Sequence, residues 1–174
     1  VDASLSISPE RLEEFKKGIR YCLSHLNPGD VFNIVAFKDK TTFLAPSSVF
    51  ATSDTIKKAE RFVSGLTSSE RTDVYQAFEQ IVRLPVGRAP SNVILISDGR
   101  PTHGVVNSRE LITSVSRINR RVRPVFAFSG GGKALQLLEI SKRVPQIILD
   151  PNRGFLYFPN LEGEWLSSVK LFGE

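Results

Sequence analysis

The sequence predicts an α/β fold in three layers: an open, mostly parallel sheet with one antiparallel strand, and helices on both of its faces. Short apolar runs alternate with amphipathic segments along most of the 174 residues. One apolar run near the middle of the chain ends abruptly in a polar loop, as a buried parallel strand does. The length suits one ordinary domain, and we expect a single domain over residues 1–174.

Composition sets the class of protein. Hydrophobic residues make up 41% and charged residues 24%, which is typical of a globular chain. No apolar run approaches the roughly 18 residues of a membrane helix, so no membrane span is expected in this chain. Cys22 is the only cysteine, which excludes an internal disulfide and a zinc site built on thiolates. Lysine and arginine exceed acidic residues by 23 to 18, a net charge of +5 that weakly favours acidic partners.

The chain begins at Val1 and contains no methionine. We therefore expect it to be part of a larger multidomain protein. Asp2 follows what looks like the tail of a strand, of which Val1 alone is present, so the leading strand is expected to be missing before residue 1.

The first predicted helix covers residues 11–26, where apolar side chains recur every three or four positions. Asn27-Pro28-Gly29-Asp30 ends it, because proline and glycine favour a turn. The nearly continuous apolar run Val31–Phe37 predicts a strand covered on both faces. Only three residues separate it from a second run, Thr41–Ala45, which is too short for a parallel crossover and predicts an antiparallel hairpin.

The same patterns predict the remaining elements. In chain order these are helices over 54–66 and 73–84, a buried parallel strand Val93–Ile96, a helix marked by Leu111 to Ile118, a strand Val122–Phe128, a helix Leu135–Val144, an edge strand Phe155–Phe158, and a closing helix Leu161–Leu171.

Oxygen-bearing side chains alternate at the start of the chain, in Asp2, Ser4 and Ser6. Such donors are the ligands that hard cations such as Mg²⁺ prefer. Helix capping is the competing interpretation, since serine is a good N-cap, and Ser8 followed by Pro9 already makes a normal helix start.

Two further segments carry matching donors. Asp98 ends the buried strand before Gly99, where it could also be an ordinary turn residue. Thr72 directly precedes a predicted helix, where it could serve as an N-cap. In open α/β sheets ligands bind beyond the carboxyl ends of the strands, so the topology predicts that these segments meet there. Mg²⁺ takes about six oxygens. The predicted ligands are Asp2, Ser4, Ser6, Thr72 and Asp98.

These motifs are similar to the three parts of the metal-ion-dependent adhesion site of von Willebrand factor type A domains. The parts are the D-x-S-x-S of residues 2–6, the Thr72-Asp73 pair, and the apolar strand that closes on Ser97-Asp98-Gly99. Residues 26–37 resemble, more narrowly, the branch of the inter-alpha-trypsin inhibitor heavy chains and their bacterial relatives. Leu5 and Glu70-Arg71 depart from the glycines that are usual in the family.

The resemblance implies a Rossmann-like fold and a function. Ser4, Ser6 and Thr72 would bind Mg²⁺, or Mn²⁺ or Ca²⁺, through their hydroxyls. Asp2 and Asp98 would bind it directly or through water. An open coordination position would accept an Asp or Glu side chain of a protein partner. Catalysis is not implied, and an extracellular or cell-envelope location is expected, with a cytoplasmic one left open.

Two other functions compete with this one. A Mg²⁺-dependent phosphoryl-transfer enzyme could use Asp2 as nucleophile. The usual signature of haloacid-dehalogenase-like enzymes, however, has a second aspartate at the position where Ser4 stands. A scaffolding domain of the same fold that binds no metal is the other alternative.

Other features carry less chemistry. We expect His25 to lie on the surface near the end of the first helix, whereas His103 could reach the site from the Asp98 loop. The glycine-rich loop 129–134 lacks the spacing of a phosphate loop. The arginines at positions 117–123 complement the end of a helix, so nucleic-acid binding is not expected.

Overall fold

The computed structural model describes residues 1–85, 91–99, 101–119, 125–129, 148–150, 155–159 and 165–170. The chain divides into two compact units, Val1–Pro85 with Thr102–Gly104, and Val86–Pro101 with Val105–Glu174. The expectation of a single domain over residues 1–174 stays a prediction. No helix within the described ranges has both the length and the apolar character needed to cross a membrane.

The first unit contains three helices and four short strands. They are α1 (Pro9–Ser24), β1 (Val31–Phe32), β2 (Val35–Phe37), β3 (Thr41–Phe43), β4 (Val49–Phe50), α2 (Ser53–Ser64) and α3 (Val74–Arg83). All three helices were predicted, and each lies within two residues of its expected bounds. The pattern of apolar residues therefore locates the helices of this unit well.

Helix α1 begins where the sequence provides a cap. The Ser8 hydroxyl accepts a hydrogen bond from the Arg11 backbone N–H at 3.3 Å, and Pro9 occupies the first turn. Leu12, Phe15 and Ile19 are buried on the inner face of the helix. The capping interpretation thus applies to Ser8, and Ser4 and Ser6 lie outside the helix.

Lys16 joins α1 to α2. Its ammonium group lies 2.7 Å from Glu13 Oε1 and donates to the Ser64 carbonyl oxygen at 3.4 Å, although the residue is only 6% exposed. Ser64 is the last residue of α2, where backbone carbonyls lack partners within the helix. The buried charge is therefore matched by a carboxylate and by a helix end.

The predicted strand Val31–Phe37 is wrong as a single element, because the structure divides it into β1 and β2. Asn33 explains the break. Its side-chain Oδ1 accepts hydrogen bonds from the backbone N–H groups of Ile34 and Ala45, and its Nδ2 donates to the Ala45 carbonyl at 2.8 Å. The asparagine side chain thus replaces part of the backbone ladder. Val31 is also 49% exposed, so this strand is not covered on both faces.

Strands β2 and β3 form the predicted antiparallel hairpin, with Ala36 opposite Thr42. Strand β1 pairs with β4, which the sequence analysis did not predict. Residues 1–3 extend the backbone pairing on the other side of β2. Val1 N donates to Val35 O at 2.6 Å, and Ala3 N donates to Phe37 O at 3.1 Å. Asp2 and Phe37 form a parallel bridge.

Within its described residues, the second unit contains a five-stranded sheet in the order β5-β6-β7-β8-β9 and one helix. Its elements are β5 (Val93–Ser97), α4 (Ser108–Ile118), β6 (Val125–Ser129), β7 (Ile148–Asp150), β8 (Phe155–Pro159) and β9 (Trp165–Lys170). Strands β5 and β6 pair in parallel, as do β6 and β7. The predictions of β5 and α4 are confirmed, and β6 overlaps its predicted strand.

Two predictions for the carboxyl-terminal part are wrong. Residues Trp165–Lys170 form strand β9 instead of a helix, because this run pairs with β8. Strand β8 lies between β7 and β9, so it is not an edge strand. Both of its pairings are antiparallel, so β8 is the one strand of this sheet that runs opposite to the other four. Strand β7 was missed, and the predicted helix Leu135–Val144 lies outside the described residues.

We predict that the core of the first unit depends on Phe78 of α3, which is 1% exposed. Phe78→Ala should lower the free energy of unfolding by about 3–5 kcal/mol, since it removes a buried ring and leaves a cavity. Urea denaturation followed by circular dichroism measures this. Phe50→Ala, at a position 65% exposed, is the matched control and should cost less than about 1 kcal/mol. Equal losses in the two variants would contradict this account of the core.

Candidate metal site

The segment that carries the first predicted ligands is held by backbone hydrogen bonds on both sides. Residues 1–3 pair with β2, as described above. On the other side, Ser69 N donates to Ala3 O at 3.1 Å, and Leu5 N donates to Glu70 O at 2.9 Å. The amino-terminal loop and the loop before α3 are therefore joined, although they are more than 60 positions apart in the sequence.

Asp2 and Ser4 are fully buried at the end of this segment. The Asp2 carboxylate accepts a hydrogen bond from Ser4 N at 3.0 Å, which turns the chain. The hydroxyl oxygens of Ser4 and Ser6 lie 3.0 Å apart and share a hydrogen bond, in which either hydroxyl can be the donor. Two neighbouring oxygens of an octahedral Mg²⁺ shell, each about 2.0–2.1 Å from the ion, are separated by about 2.9 Å. The two hydroxyls therefore have the spacing of adjacent ligands.

Thr72 lies in the loop that is bonded to this segment. It is fully buried, and its Oγ1 atom has no hydrogen-bond partner. A buried hydroxyl without a partner carries a desolvation cost of about 1–3 kcal/mol. A cation would give this oxygen the interaction that the described protein atoms do not supply. The donor set thus fits a hard divalent ion at Thr72 as well as at Ser4 and Ser6.

Helix capping does not account for Thr72. Asp73 is the N-cap of α3, and its carboxylate accepts from Gln76 N at 2.9 Å. The capping alternative for Thr72 is therefore wrong. Asp73 belongs to the Thr72-Asp73 motif, but its capping role was not predicted from the sequence, although aspartate is among the strongest N-cap residues.

A short loop, residues 102–104, fixes the backbone of Thr72. Thr102 Oγ1 accepts from Thr72 N at 2.9 Å, while the N–H groups of Thr102 and His103 both donate to Thr72 O at 3.0 Å. Gly104 has a φ of 66°, and a methyl group on it would overlap the Asp73 carboxylate. Sequence reasoning missed this loop, because no motif marks Thr102 as a partner of a residue 30 positions away.

Glu70 shows how the chain departs from the usual glycines. Its φ of 66° makes it the non-glycine residue with a left-handed backbone among those described. Glycine adopts this conformation without cost, whereas other residues pay roughly 1–2 kcal/mol. The loop therefore keeps a backbone shape suited to glycine without having a glycine. Leu5, the other departure, is 74% exposed beside Ser4 and Ser6.

Glu70 also contacts a second carboxyl group. A hydrogen bond between the Asp39 and Glu70 side chains lowers the pKa of Asp39 and raises that of Glu70. Lys38 and Lys40 oppose the rise in the pKa of Glu70, because their positive charges favour the ionised form. An acidic pair and two lysines therefore lie near the loop that carries Thr72.

Asp98 lies in the second unit, at the end of β5, and is 4% exposed. Gly99 follows with a φ of 73°, and its N–H donates to the Ser97 hydroxyl at 3.0 Å. Ser97 is fully buried and was not predicted to have a role. Asp98 thus follows the strand as expected, and its role as a ligand stays a prediction.

The two histidines lie in different parts of the structure. His25 is exposed at the end of α1, with its Nδ1 atom 2.8 Å from Tyr21 O, in agreement with a surface role. His103 is exposed in the loop that supports Thr72. No cluster of three or more His, Cys, Asp or Glu side chains suited to a metal is found in the part of the chain that the structure describes. The predicted set contains only two such side chains, since its other donors are hydroxyls.

The comparisons with known proteins agree on one family. The family model of the von Willebrand factor type A domain matches residues 1–144. Human inter-alpha-trypsin inhibitor heavy chain H4 is 30% identical over 125 residues, which cover 66% of this chain and 13% of that protein. Human heavy chain H1 is 25% identical over 140 residues, covering 75% of this chain and 15% of that protein. The chain therefore corresponds to a small part of these relatives.

Solved structures show the same fold. A von Willebrand factor type A protein from Catenulispora acidiphila superposes with a TM-score of 0.70 at 16% identity, over 87% of this chain and 38% of that chain. The conserved hypothetical protein BatB from Bacteroides thetaiotaomicron has a TM-score of 0.63 at 19% identity, over 86% and 87% of the two chains. These likenesses confirm the predicted α/β fold class.

We predict that Gly104 is required for the loop that supports Thr72. Gly104→Ala should lower the free energy of unfolding by at least about 1 kcal/mol, because it combines a left-handed backbone with overlap at Asp73. Gly18→Ala in α1 is the matched control: nothing lies within 4 Å of the added methyl group, and φ is ordinary. It should raise stability by up to about 1 kcal/mol. Changes of the same sign would contradict this role of Gly104.

Proposed function

This chain belongs to the von Willebrand factor type A domain family, and from that premise we propose that it captures a partner protein through a bound divalent cation. Its similarity to the inter-alpha-trypsin inhibitor heavy chains places it in that branch of the family. Domains of this kind commonly serve in protein interaction. The finer proposal is that Mg²⁺, or Mn²⁺ or Ca²⁺, is held by Asp2, Ser4, Ser6, Thr72 and Asp98.

One observation carries the proposal most directly: the buried Thr72 hydroxyl has no partner among the described atoms. The 3.0 Å spacing of the Ser4 and Ser6 hydroxyls supports it independently. Both features belong to loops joined by backbone hydrogen bonds, so they occur within one unit of the structure. Their donors are oxygens, which favour Mg²⁺ over softer metals.

The chemistry of the donors explains how a partner would be bound. When bound, the cation would supply a Lewis-acidic position for an incoming carboxylate. Ser4, Ser6 and Thr72 contribute neutral oxygens, and the two aspartates carry at most two negative charges. At most this set balances the charge of a divalent ion, so an Asp or Glu side chain of the partner can occupy the open coordination position without net repulsion. A cage of five carboxylates would repel it.

Asp2 would have a supporting role beside its proposed role as a ligand. Its carboxylate already accepts the Ser4 N–H, so it holds the turn that presents the two serine hydroxyls. Exposed groups nearby would contact the partner around its carboxylate. Leu5 offers an apolar surface there, and Ser6 is itself exposed.

No catalysis is proposed. The likeness is to an interaction domain, and the features above concern binding. We also propose that the domain functions outside the cell or in the cell envelope as part of a larger protein. The chain covers only 13–15% of the first curated relatives, which is consistent with a domain of a larger protein.

We predict that Mg²⁺ stabilises this domain through Thr72. A hundredfold excess of Mg²⁺ over its dissociation constant should stabilise the wild type by about 2.7 kcal/mol, seen as a rise in Tm. Thr72→Val should abolish the rise while raising the stability in EDTA by about 1–3 kcal/mol, because it removes the desolvation cost of the unpartnered hydroxyl. Differential scanning fluorimetry with and without EDTA measures both effects.

Thr41→Val is the matched control, since Thr41 Oγ1 is also buried without a hydrogen-bond partner but is not a predicted ligand. It should keep the full response to Mg²⁺. An unchanged Tm in wild type with Mg²⁺, Mn²⁺ and Ca²⁺ would favour a scaffolding domain that binds no metal. Hydrolysis of a phosphate monoester that disappears in Asp2→Ala would favour an enzyme. A pull-down of partners with Mg²⁺, repeated with chelator, tests the capture itself.

A further inference from the structure

A basic cleft lies between the β2–β3 hairpin and the carboxyl-terminal end of α2. It has a volume of about 370 Å³, and its charged lining residues are Lys38, Lys40 and Arg61. Among the described residues, no acidic side chain lines it. Pockets of about 300–1,000 Å³ hold ligands with several functional groups, so a single small anion would use only part of this space. The cleft is contained within the first unit.

The hairpin and the helix form the two walls. On the hairpin, Ala36 pairs with Thr42, and the two small side chains leave room between the walls. Lys38 and Lys40 follow at the turn, where Lys38 N donates to Lys40 O at 3.0 Å. Phe62 of α2 adds an apolar surface to the opposite wall. A ligand in the cleft would thus contact positive charges together with the apolar surface of Phe62.

No close ion pair with another described residue neutralises the three positive charges. The ion pairs seen among the described residues join Lys16 to Glu13 and Arg83 to Glu79, and neither involves the cleft. Lys38 donates to the neutral hydroxyl of Ser69 at 2.5 Å, and Arg61 Nε donates to the Lys57 carbonyl at 3.4 Å. Like charges around one cleft repel each other, and a bound anion would relieve the repulsion.

Structural roles explain only part of this arrangement. Arg61 lies in the last turn of α2, where a cation complements the helix dipole. That effect does not reach Lys38 and Lys40, which lie on the hairpin. The acidic pair Asp39 and Glu70 lies near both lysines, but these carboxyls hydrogen-bond to each other and do not line the cleft.

We propose that this cleft binds carboxylates of an acidic protein segment, and that it does so without a metal ion. Backbone bonds place it beside the candidate metal site: Asp73 N donates to Lys38 O at 2.8 Å, and the Lys38 side chain reaches Ser69 in the loop that precedes Thr72. A partner could therefore contact both places. That the segment belongs to the partner held at the metal rests on the proposed function.

The test uses a fluorescently labelled hexaglutamate peptide in EDTA at about 50 mM salt, where charge attraction is weakly screened. Fluorescence anisotropy should show binding by the wild type. Lys40→Gln combined with Arg61→Gln should weaken the affinity by about tenfold or more, since it removes two of the three charges. Both side chains are exposed, so the double variant should fold, which circular dichroism would verify.

Lys17→Gln combined with Lys58→Gln is the matched control, because it removes the same net charge from exposed positions outside the cleft. It should change the affinity by less than about twofold. Equal losses in the two double variants, or no binding by the wild type, would overturn the proposal. Inorganic phosphate or diglutamate binding as tightly as hexaglutamate would also overturn it, in favour of a small-anion site.

The experiment separates this proposal from the proposed function. The Lys40 and Arg61 variant should retain the Mg²⁺-dependent rise in Tm, whereas Thr72→Val should retain binding of the peptide in EDTA. If the wild type showed no rise in Tm with Mg²⁺ but still bound the peptide, the metal-dependent capture would be wrong and the proposal for the cleft would stand. If the wild type showed the rise in Tm but did not bind the peptide, the proposal for the cleft would be wrong and the metal-dependent capture would stand.

Discussion

The structure of the first unit depends on a segment of five residues that is hydrogen-bonded on both sides. Residues 1–3 pair with β2, while residues 3–5 bond to residues 69–70. Neither partner is close in sequence, so the segment can adopt this position only when the hairpin and the loop before α3 are in place. The same bonds bury Asp2 and Ser4 completely. The polar cluster is thus built by backbone pairing, and its side chains are placed as a consequence.

Two kinds of polar residue occur in the loops that precede α1 and α3, and the structure separates them. Ser8 and Asp73 cap helices, and each uses its side chain on a backbone N–H. Thr72 directly precedes one of these caps, yet its hydroxyl is buried and unpartnered. The division follows from geometry, because a helix start needs only one capping side chain. Residues beside a cap remain available for other chemistry.

The sequence could predict the helices and the hairpin, because amphipathic spacing and short turns are local properties. It could not predict the break between β1 and β2, since that depends on Asn33 bonding to Ala45 twelve positions away. The run at Trp165 shows the same limit: its pattern fits a helix or a strand, and pairing with β8 decides between them. For the site, the ligand types were readable from the motif. The support from Thr102 was not, because it depends on how two distant loops pack.

The left-handed backbone of Glu70 has a consequence for how this loop can change. A glycine there would remove the conformational penalty but also the side chain, together with its contact to Asp39. The chain therefore keeps an acidic group at a position where the backbone favours having no side chain at all. The backbone at residue 70 favours glycine, yet the residue is a glutamate. Its acidic side chain, and not the path of the loop, is therefore the feature that explains why a glutamate stands there.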